Sequence, residues 1–358
     1  MLTGNGRVQM ADGTRTAVRR VFPPRSWRAT NLALFAVLGL AFATGLGAVA
    51  AGSGRGAWVV VAHGVVGIAV VLLLPAKSRV AAGGLRRSRP SRGASLALAV
   101  LVVGSLVFGF ASATGVLRDV AGQTALWVHI ALALLLVLPL GWHVVMRPVR
   151  PRRADLTRRA LVGAGVLAVV GGGLYAGMEG VGRLVGGAGA ARRFTGSYAL
   201  DPVSTPVTSW LDDAVPSVDP ARWRLGVTDA GGRRVLSGDE LAALGTATVR
   251  ATLDCTSGWC VTADWTGVPL ARLLGAVGPE HRSVRVGSLT GYDRYLPLSD
   301  LDHLLLATGF DGRPLTAGHG SPARLVAPGR RGFWWVKWVD EVELSRRPWW
   351  TQPPFPLT

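Results

Sequence analysis

The chain has 358 residues, of which 49% are hydrophobic and only 17% charged, yet its formal net charge is +18. In a soluble protein this charge would indicate nucleic-acid binding, but the sequence has no interleaved aromatic and basic residues and no recognition motif, so we expect no nucleic-acid partner. The arginines stand in short runs between long apolar stretches, which is typical of membrane topology. The two cysteines, Cys255 and Cys260, are too few for a disulfide framework.

Five apolar stretches are long enough for the helix of about 20 residues that crosses a bilayer core of about 30 Å. They cover roughly residues 29–50, 57–76, 95–117, 126–146 and 160–178. A buried core helix could explain any one of them, but five in succession with charged flanks predict a membrane α-helical bundle over residues 29–182.

Basic residues concentrate in alternate loops of this bundle. Three groups lie before the first helix, between the second and third, and between the fourth and fifth: Arg7, Arg15, Arg19, Arg20, Arg25 and Arg28; Lys77, Arg79, Arg86, Arg87, Arg89 and Arg92; Arg147, Arg150, Arg152, Arg153, Arg158 and Arg159. The other two loops hold only Arg55 and the pair Arg118 and Asp119. The positive-inside rule therefore predicts a multi-pass protein of the cell membrane, with a cytoplasmic N-terminus at 1–28 and an extracytoplasmic segment from residue 183.

The residues before the fifth helix carry a second topological signal. Thr157-Arg158-Arg159-Ala160-Leu161-Val162 resembles the twin-arginine export signal, which transports folded and often cofactor-loaded domains. The alternative is that Arg158 and Arg159 only contribute positive charge on the cytoplasmic side.

Three histidines lie inside the predicted helices, where ionisable residues are rare and usually functional. His63 and His129 come at a similar depth in the outer half of helices two and four. Two facing imidazoles are the usual axial ligands of a b-type haem, and Gly64 and Gly67 would let a flat macrocycle approach. His143 is about 21 Å below His129 at 1.5 Å per residue. It could ligate a second haem, contact a quinone or sit at the interface, and all three histidines could instead form hydrogen bonds between helices.

From about residue 183 the long apolar runs stop and short runs with turn signals follow. We predict strands at 223–227, 248–255, 283–289, 323–328 and 334–344, and short helices at 240–244 and 268–277. The sequence therefore predicts a soluble, mixed α+β, strand-rich domain over residues 183–358.

Cys255 ends one of these predicted strands and precedes a Gly258-Trp259 turn. Such a cysteine can present a thiolate to a pocket. A disulfide between Cys255 and Cys260 is the structural alternative in an oxidising compartment.

Two sequence blocks resemble a known family. Cys255-x-x-Gly-Trp, followed by Trp265-x-Gly-Val-Pro-Leu, is similar to the molybdopterin-binding domain of the sulfite oxidase superfamily. A second block, His319-Gly-Ser-Pro-Ala-Arg324 and then Val-Lys337-Trp, follows in the family's order. The resemblance covers about residues 195–350. It implies that Cys255 is the thiolate ligand of molybdenum, and that further residues hold the molybdopterin and its phosphate: His319, Arg324, Lys337, Gly258 and Trp259.

The chain departs from sulfite oxidases proper at the residues after Cys255. Those enzymes carry arginines soon after the cysteine, whereas Thr256-Ser257-Gly258-Trp259-Cys260 follows it here. This resembles more closely the periplasmic reductase branch, whose members reduce methionine sulfoxide with electrons from a separate haem membrane protein. Tyr292 and Asp293 are predicted as catalytic pocket-wall residues from their position alone.

The sequence therefore predicts a membrane-anchored molybdenum oxidoreductase that transfers an oxygen atom to or from a small-molecule substrate. Electrons would pass between a membrane quinone or other electron-transfer partner, a haem b at His63 and His129, and molybdenum at Cys255. The alternatives are sulfite oxidation in the strict sense, and a non-catalytic electron-transfer or binding protein.

Overall fold

The computed structural model describes residues 27–85, 92–208, 214–353 and 355. Five helices are long and apolar enough to cross a membrane: α1 (Trp27–Ala50), α2 (Ala57–Leu85), α3 (Arg92–Thr114), α4 (Ala125–Met146) and α5 (Arg158–Leu184). At most 22% of the most apolar window of each helix is buried within the protein, which suits side chains solvated by lipid. The predicted bundle is confirmed. The basic residues before Trp27 and at 86–89 lie outside the described residues.

Helices α2 and α5 are longer than predicted. Helix α2 continues past residue 76 and includes Pro75, and α5 continues past the predicted end at 178 to Leu184. Lys77 and Arg79 therefore lie on α2, and Arg158 and Arg159 lie on the first turn of α5. This extends the helices without changing their number or order.

The chain divides into two compact units. The first contains the described residues of 27–44, 61–108 and 129–184, and the second contains 45–60, 109–128 and 185–358. The second unit thus includes two segments that join consecutive apolar helices. One of them carries a small hairpin of β1 (Asp119–Val120) and β2 (Gln123–Thr124).

The strand-rich part of the second unit consists of two larger sheets. One contains β3 (Tyr198–Ala199), β6 (Ala247–Asp254), β7 (Trp259–Pro269), β10 (Leu305–Phe310), β11 (Arg313–Pro314) and β12 (Arg324–Val326). The other contains β4 (Leu225–Asp229), β5 (Gly232–Leu236), β8 (Ser283–Ser288), β9 (Asp293–Pro297) and β13 (Val339–Ser345) in the order β5-β4-β13-β8-β9. Apolar side chains of both sheets form one core cluster. This confirms the predicted mixed, strand-rich domain.

Two predicted elements of this domain are wrong in extent. The helix predicted at 268–277 is a single turn, α7 (Leu270–Leu273), because Val268 and Pro269 complete β7 and Leu274 is already extended. The strand predicted at 334–344 begins only at Val339, because Gly332–Trp334 forms a 3-10 turn and Trp338 has a φ of +50°. The helix predicted at 240–244 is α6 (Gly238–Ala243), whose N-terminus is fixed by a capping box between Ser237 and Glu240.

Candidate functional site

The cysteine singled out by the sequence lies in a tight turn between two paired strands. Strand β6 ends at Asp254 opposite Cys260 of β7, so Cys255 begins the turn. The Cys255 N–H donates to the carbonyl of Trp259 over 2.9 Å, and the Gly258 N–H donates back to the Cys255 carbonyl over 3.2 Å. Gly258 has a φ of +99°, a conformation that favours glycine. The turn therefore holds Cys255 at the end of a rigid hairpin.

Both cysteines are free thiols, so the disulfide alternative is not what the structure shows. Cys255 is half-buried, and its Sγ lies 3.0 Å from the Oγ of Ser257. Cys260 is buried in β7, and burial raises the pKa of its thiol to about 11. Of the two, Cys255 is the thiol available to a ligand.

A buried ionic network, which the sequence analysis did not find, surrounds the residue before Cys255. Asp254 is 2% exposed and pairs with Arg331, also 2% exposed, over 2.7 Å. Arg331 also donates to the Cys255 carbonyl over 3.0 Å. Three more donors complete the shell of Asp254: Arg193 Nε at 3.1 Å, Thr195 Oγ1 at 2.8 Å and Ser197 Oγ at 2.6 Å. Because a buried carboxylate is stable only when fully partnered, this network fixes the base of the cysteine turn.

We expect Asp254→Asn to lower the melting temperature of the strand-rich domain by roughly 6–12 °C. Breaking a buried pair leaves Arg331 charged without a counter-ion, at a cost of about 3 kcal/mol or more. The control is Asp264→Asn, since Asp264 and its partner Arg250 are both at least half exposed and such pairs contribute about 1 kcal/mol or less. Thermal unfolding followed by tryptophan fluorescence distinguishes them. Equal melting temperatures for the two variants would contradict the role given to the network.

The second sequence block forms a buried cationic cluster. Arg324 is fully buried between the rings of Trp265 and Trp335, at 5.1 and 5.7 Å from their centroids. Its Nη1 donates to the carbonyl of His319 over 3.1 Å, whereas its Nε has no hydrogen-bond partner among the described residues. Lys337 Nζ donates to the carbonyls of Gly318 and Thr208 over 2.8 and 2.7 Å.

His319 is held by both ring nitrogens. Its Nδ1 lies 2.7 Å from Thr316 Oγ1, and its Nε2 lies 3.1 Å from the carbonyl of Thr205. The ring also stacks on Phe310, with 6.2 Å between centroids. The imidazole therefore joins the approach segment around residue 205 to the turn that precedes Arg324.

The charges of this cluster are destabilised by burial. Burial lowers the pKa of Arg324 to about 10, and burial followed by the charge of Arg324 lowers the pKa of Lys337 to about 8. Burial also lowers the pKa of His319. The thiolate of Cys255 partly offsets the shift of both Arg324 and Lys337, so Cys255 lies within electrostatic reach of both. A further anion bound among these groups would relieve the same penalty.

Tyr292 and Asp293 bond to residues outside this cationic cluster. The Tyr292 hydroxyl donates to the carbonyl of Phe333 and accepts from Arg294 Nε over 2.8 Å. Asp293 pairs with Arg285 over 2.8 Å on the five-stranded sheet. Within the described residues neither has a hydrogen bond to Cys255. Tyr292 instead steadies the 332–334 turn, where an added Cβ on Gly332 would lie 3.3 Å from the Cys255 Cα.

Two of the three helix histidines face each other within the first unit. The ring centroids of His63 and His129 are 5.9 Å apart at an angle of 69°. His63 Nδ1 lies 3.1 Å from the carbonyl of Ala41, and His129 Nδ1 lies 2.7 Å from that of Ser105. With Nδ1 bonded to a carbonyl, each Nε2 is the nitrogen left to bind a metal. An iron held by two imidazoles at about 2 Å each separates their centroids by roughly 6 Å, so this pair has the spacing of axial ligands.

The other helix residues that the sequence singled out, His143, Gly64 and Gly67, are not part of this histidine pair. His143 is half-buried in the last turn of α4. An added Cβ on Gly64 would meet the ring of Tyr175, so this glycine serves helix packing and not the approach of a macrocycle. Gly67 has open space at the corresponding position.

Comparison with known proteins decides the nature of the strand-rich domain. Residues 212–352 match the model of the family described as oxidoreductase molybdopterin binding domain. The strand-rich domain belongs to this family. The superfamily that the two sequence blocks predicted is thereby confirmed.

Curated relatives match parts of the chain. The protein-methionine-sulfoxide reductase catalytic subunit MsrP of Xanthomonas campestris pv. campestris is 35% identical over 114 residues, covering 26% of this chain and 35% of the relative. A putative protein-methionine-sulfoxide reductase subunit, YedZ1 of Azospira oryzae, is 30% identical over 139 residues, covering 37% of this chain and 53% of the relative. Mitochondrial sulfite oxidase of Rattus norvegicus is 30% identical over 166 residues, covering 37% of this chain and 30% of the relative. The chain thus spans about a third of the length of the first of these relatives.

Solved structures also match parts of the chain. The sulfane dehydrogenase SoxCD of Paracoccus pantotrophus is 25% identical, with a TM-score of 0.35, covering 37% of this chain and 40% of that chain.

Three observations on the molybdopterin-binding domain fit the binding of molybdopterin. Cys255 offers a free, half-buried thiol. Among the described residues, Arg324 Nε is buried without a partner, and Lys337 donates two hydrogen bonds and retains a third N–H. The donors are thus a soft thiolate and two cations, which suit a transition metal and a phosphate.

Asp254, Arg331, Arg193 and the two hydroxyls that bind Asp254 were not predicted from the sequence. Their partners are separated by 57 to 77 residues along the chain. One signal was available, since Asp254 is an acidic residue at the end of an apolar strand and directly precedes Cys255. A carboxylate at such a position predicts a buried cation as its partner.

Proposed function

We propose that this chain is a membrane-anchored molybdenum oxidoreductase. It moves electrons between a membrane donor or acceptor, a haem b in the helical bundle, and an extracytoplasmic site of oxygen-atom transfer. The observation that carries the proposal is the free thiol of Cys255 beside the buried cations Arg324 and Lys337 in a molybdopterin-binding domain.

At the molybdenum site, the proposal gives each residue a role that its contacts support. Cys255 Sγ binds the metal, and the unpartnered Nε of Arg324 and the third N–H of Lys337 hold the pterin and its phosphate. His319 positions these groups through its contacts with residues 205 and 316. The bound cofactor supplies two-electron redox chemistry coupled to transfer of one oxygen atom. Gly258 permits the cysteine turn, and Trp259, 6% exposed, anchors it in the core.

For the haem, the proposal assigns His63 and His129 as axial ligands. It is supported by the 5.9 Å between their rings and by the carbonyl that each Nδ1 engages, as is usual for metal-binding histidines. His143 is proposed either as a ligand of a second haem or as a contact of the membrane quinone. It lies near Lys77, whose Nζ donates to Asn31 Oδ1 over 2.9 Å, so polar groups gather at this end of the bundle.

The proposed topology has the N-terminus in the cytoplasm and the molybdopterin-binding domain outside. The partition of the loops supports it. The two segments that contain few basic residues, within 45–60 and 109–128, belong to the same compact unit as residues 185–358. The basic segment between α4 and α5 belongs to the other unit, where Arg28 pairs with Asp155 over 2.8 Å. This is the alternation that the positive-inside rule requires.

Export through the twin-arginine route is part of the proposal and predicts a specific result. Replacing Arg158 and Arg159 by lysine keeps the positive charge but removes the signal. We expect the double variant to lose protease accessibility of the molybdopterin-binding domain in spheroplasts, while the same change at Arg152 and Arg153 leaves it unaltered. Normal export of a molybdenum-loaded domain by the first variant would assign its arginines to topology alone.

The substrate proposed is a sulfoxide, with methionine sulfoxide as the first compound to test. Three relatives carry names of methionine sulfoxide reductase subunits, two of them catalytic. Two arginines that approach the cysteine turn from elsewhere in the chain, Arg193 and Arg331, are both paired with Asp254. Their positive charge is partly balanced by this carboxylate, which disfavours an oxyanion such as sulfite beside them.

Assays of the purified protein with methionine sulfoxide and with sulfite test the proposed substrate directly. With a dithionite-reduced viologen as donor, we expect oxidation of the dye to depend on methionine sulfoxide. With sulfite and ferricyanide we expect little turnover. The opposite pattern would make the chain a sulfite oxidase in the strict sense, and the absence of both activities in a molybdenum-loaded sample would contradict the proposed substrate class.

A further inference from the structure

Two segments that join apolar helices pack against the cysteine turn within the second unit. They are residues 51–53, between α1 and α2, and residues 124–126, at the start of α4. We call these two segments the clamp. They touch the two stretches of chain that frame Cys255: residues 257–258 on one side and 329–331 on the other.

Thr124 makes the most specific contact of the clamp. Its Oγ1 donates to the carbonyl of Ser257 and accepts the N–H of Trp127 over 3.1 Å. One hydroxyl therefore caps α4 and also holds the cysteine turn. Ser257 in turn brings its Oγ to within 3.0 Å of Cys255 Sγ. A continuous series of contacts thus runs from Thr124 to the thiol.

The neighbouring residues of the clamp fit closely against the same turn. An added Cβ on Gly258 would lie 3.1 Å from Thr124 Oγ1 and 3.2 Å from Leu126 Cβ. On the other side, an added Cβ on Gly52 would lie 2.7 Å from both the Arg331 nitrogen and the Gly329 oxygen. These are backbone atoms and cannot move aside cheaply. Close contact at residue 52 therefore requires glycine, whereas at residue 258 the neighbours are side-chain atoms and the φ of +99° is what favours glycine.

We propose that the clamp positions the thiol of Cys255 and that Thr124 is its principal positioning residue. Thr124 orients Ser257, and Gly52 secures the backbone of Arg331, which itself donates to the Cys255 carbonyl. The clamp also links the cysteine turn to the N-terminus of α4. The inference rests on the proposed function only in taking Cys255 as the molybdenum ligand.

Alkylation of Cys255 tests the clamp without any need for molybdenum. In cofactor-free full-length protein, we expect Thr124→Val to increase the alkylation rate of Cys255 by roughly five- to tenfold, because one hydrogen bond that orders the turn is lost. Thr124→Ser keeps the hydroxyl and should restore the wild-type rate. The control is Thr114→Val, since within the described part of the chain the Thr114 hydroxyl bonds to carbonyls of its own helix alone. Peptide mass spectrometry separates Cys255 from the buried Cys260.

A pair of glycine variants tests the other side of the clamp. Gly52→Ala should increase alkylation of Cys255. Gly54→Ala should not, because Gly54 has open space where the added Cβ would lie. In molybdenum-loaded protein, Thr124→Val should also shift the Mo(V) resonance, which reports the direction of the thiolate, while Thr114→Val leaves it in place.

The possible results separate this inference from the proposed function. Wild-type alkylation rates in both Thr124→Val and Gly52→Ala would overturn the clamp. If purified wild-type protein holds no molybdenum but Thr124→Val still accelerates alkylation, the clamp stands and the proposed function falls. If Thr124→Val cannot be recovered as folded protein, the Gly52→Ala and Gly54→Ala pair decides alone.

Discussion

Replacement of Cys255 by serine is expected to remove molybdenum from the protein and to abolish turnover. The hydroxyl of serine is a hard, weakly acidic donor and would be a poorer ligand than the soft thiolate that the proposal assigns to molybdenum. Loss of an outer partner of a metal typically costs about 10–100-fold in affinity or activity, and loss of the direct ligand should cost more. Molybdenum content by mass spectrometry and turnover with reduced viologen measure the effect.

Cys260→Ser is the matched control for this experiment. Cys260 is buried in β7, and burial raises the pKa of its thiol, so it is the less available of the two thiols. We expect this variant to retain its molybdenum. Full molybdenum in Cys255→Ser would refute the ligand assignment, and equal loss in both variants would instead favour a disulfide between the two cysteines.

Replacement of either His63 or His129 by alanine is expected to eliminate a low-spin haem signal. A haem b held by two imidazoles loses its six-coordinate state when one is removed, and both residues are needed because each supplies one face. Their Nδ1 atoms are bonded to carbonyls of two different helices, so each ring is already oriented before iron binds. Reduced-minus-oxidised difference spectra of membranes report the loss.

His303→Ala serves as the control for the histidine variants, because His303 lies in the strand-rich domain and should leave the spectrum unchanged. His143→Ala distinguishes the two roles proposed for that residue: a partial loss of signal indicates a second haem, and a full signal with slower quinone oxidation indicates a quinone contact. A wild-type protein without haem, produced with ample haem supply, would contradict the assignment of His63 and His129.

The membrane helices could be predicted well because hydropathy over about 20 residues depends only on local sequence. The ends of the helices were predicted less well. Nothing in the hydropathy of α2 and α5 marks where the helix stops, and both helices continue into polar residues. The cysteine turn was also predictable, because Gly258 and Trp259 impose its shape locally. The β7 strand was not predicted, and its last two residues, Val268 and Pro269, were assigned to a helix, although the chain runs extended through Pro269.

Features that depend on distant residues could not be predicted in this way. Asp254 and Arg331 are 77 residues apart, and their pairing exists only once β6 and the 332–334 turn pack together. The clamp joins Thr124 to Ser257 across 133 residues. Hydrogen bonds of this kind depend on tertiary structure, so sequence patterns could suggest the ligands but not the residues that position them.

The central claim is that one chain carries both a molybdopterin and a haem b. Metal and pterin analysis of the purified full-length protein, together with its reduced-minus-oxidised visible spectrum, tests it most directly. We expect about one molybdenum and one pterin per chain and the spectrum of a low-spin b-type haem. Folded protein that contains neither molybdenum nor pterin would contradict the oxidoreductase assignment, and molybdenum without haem would contradict the electron path through His63 and His129.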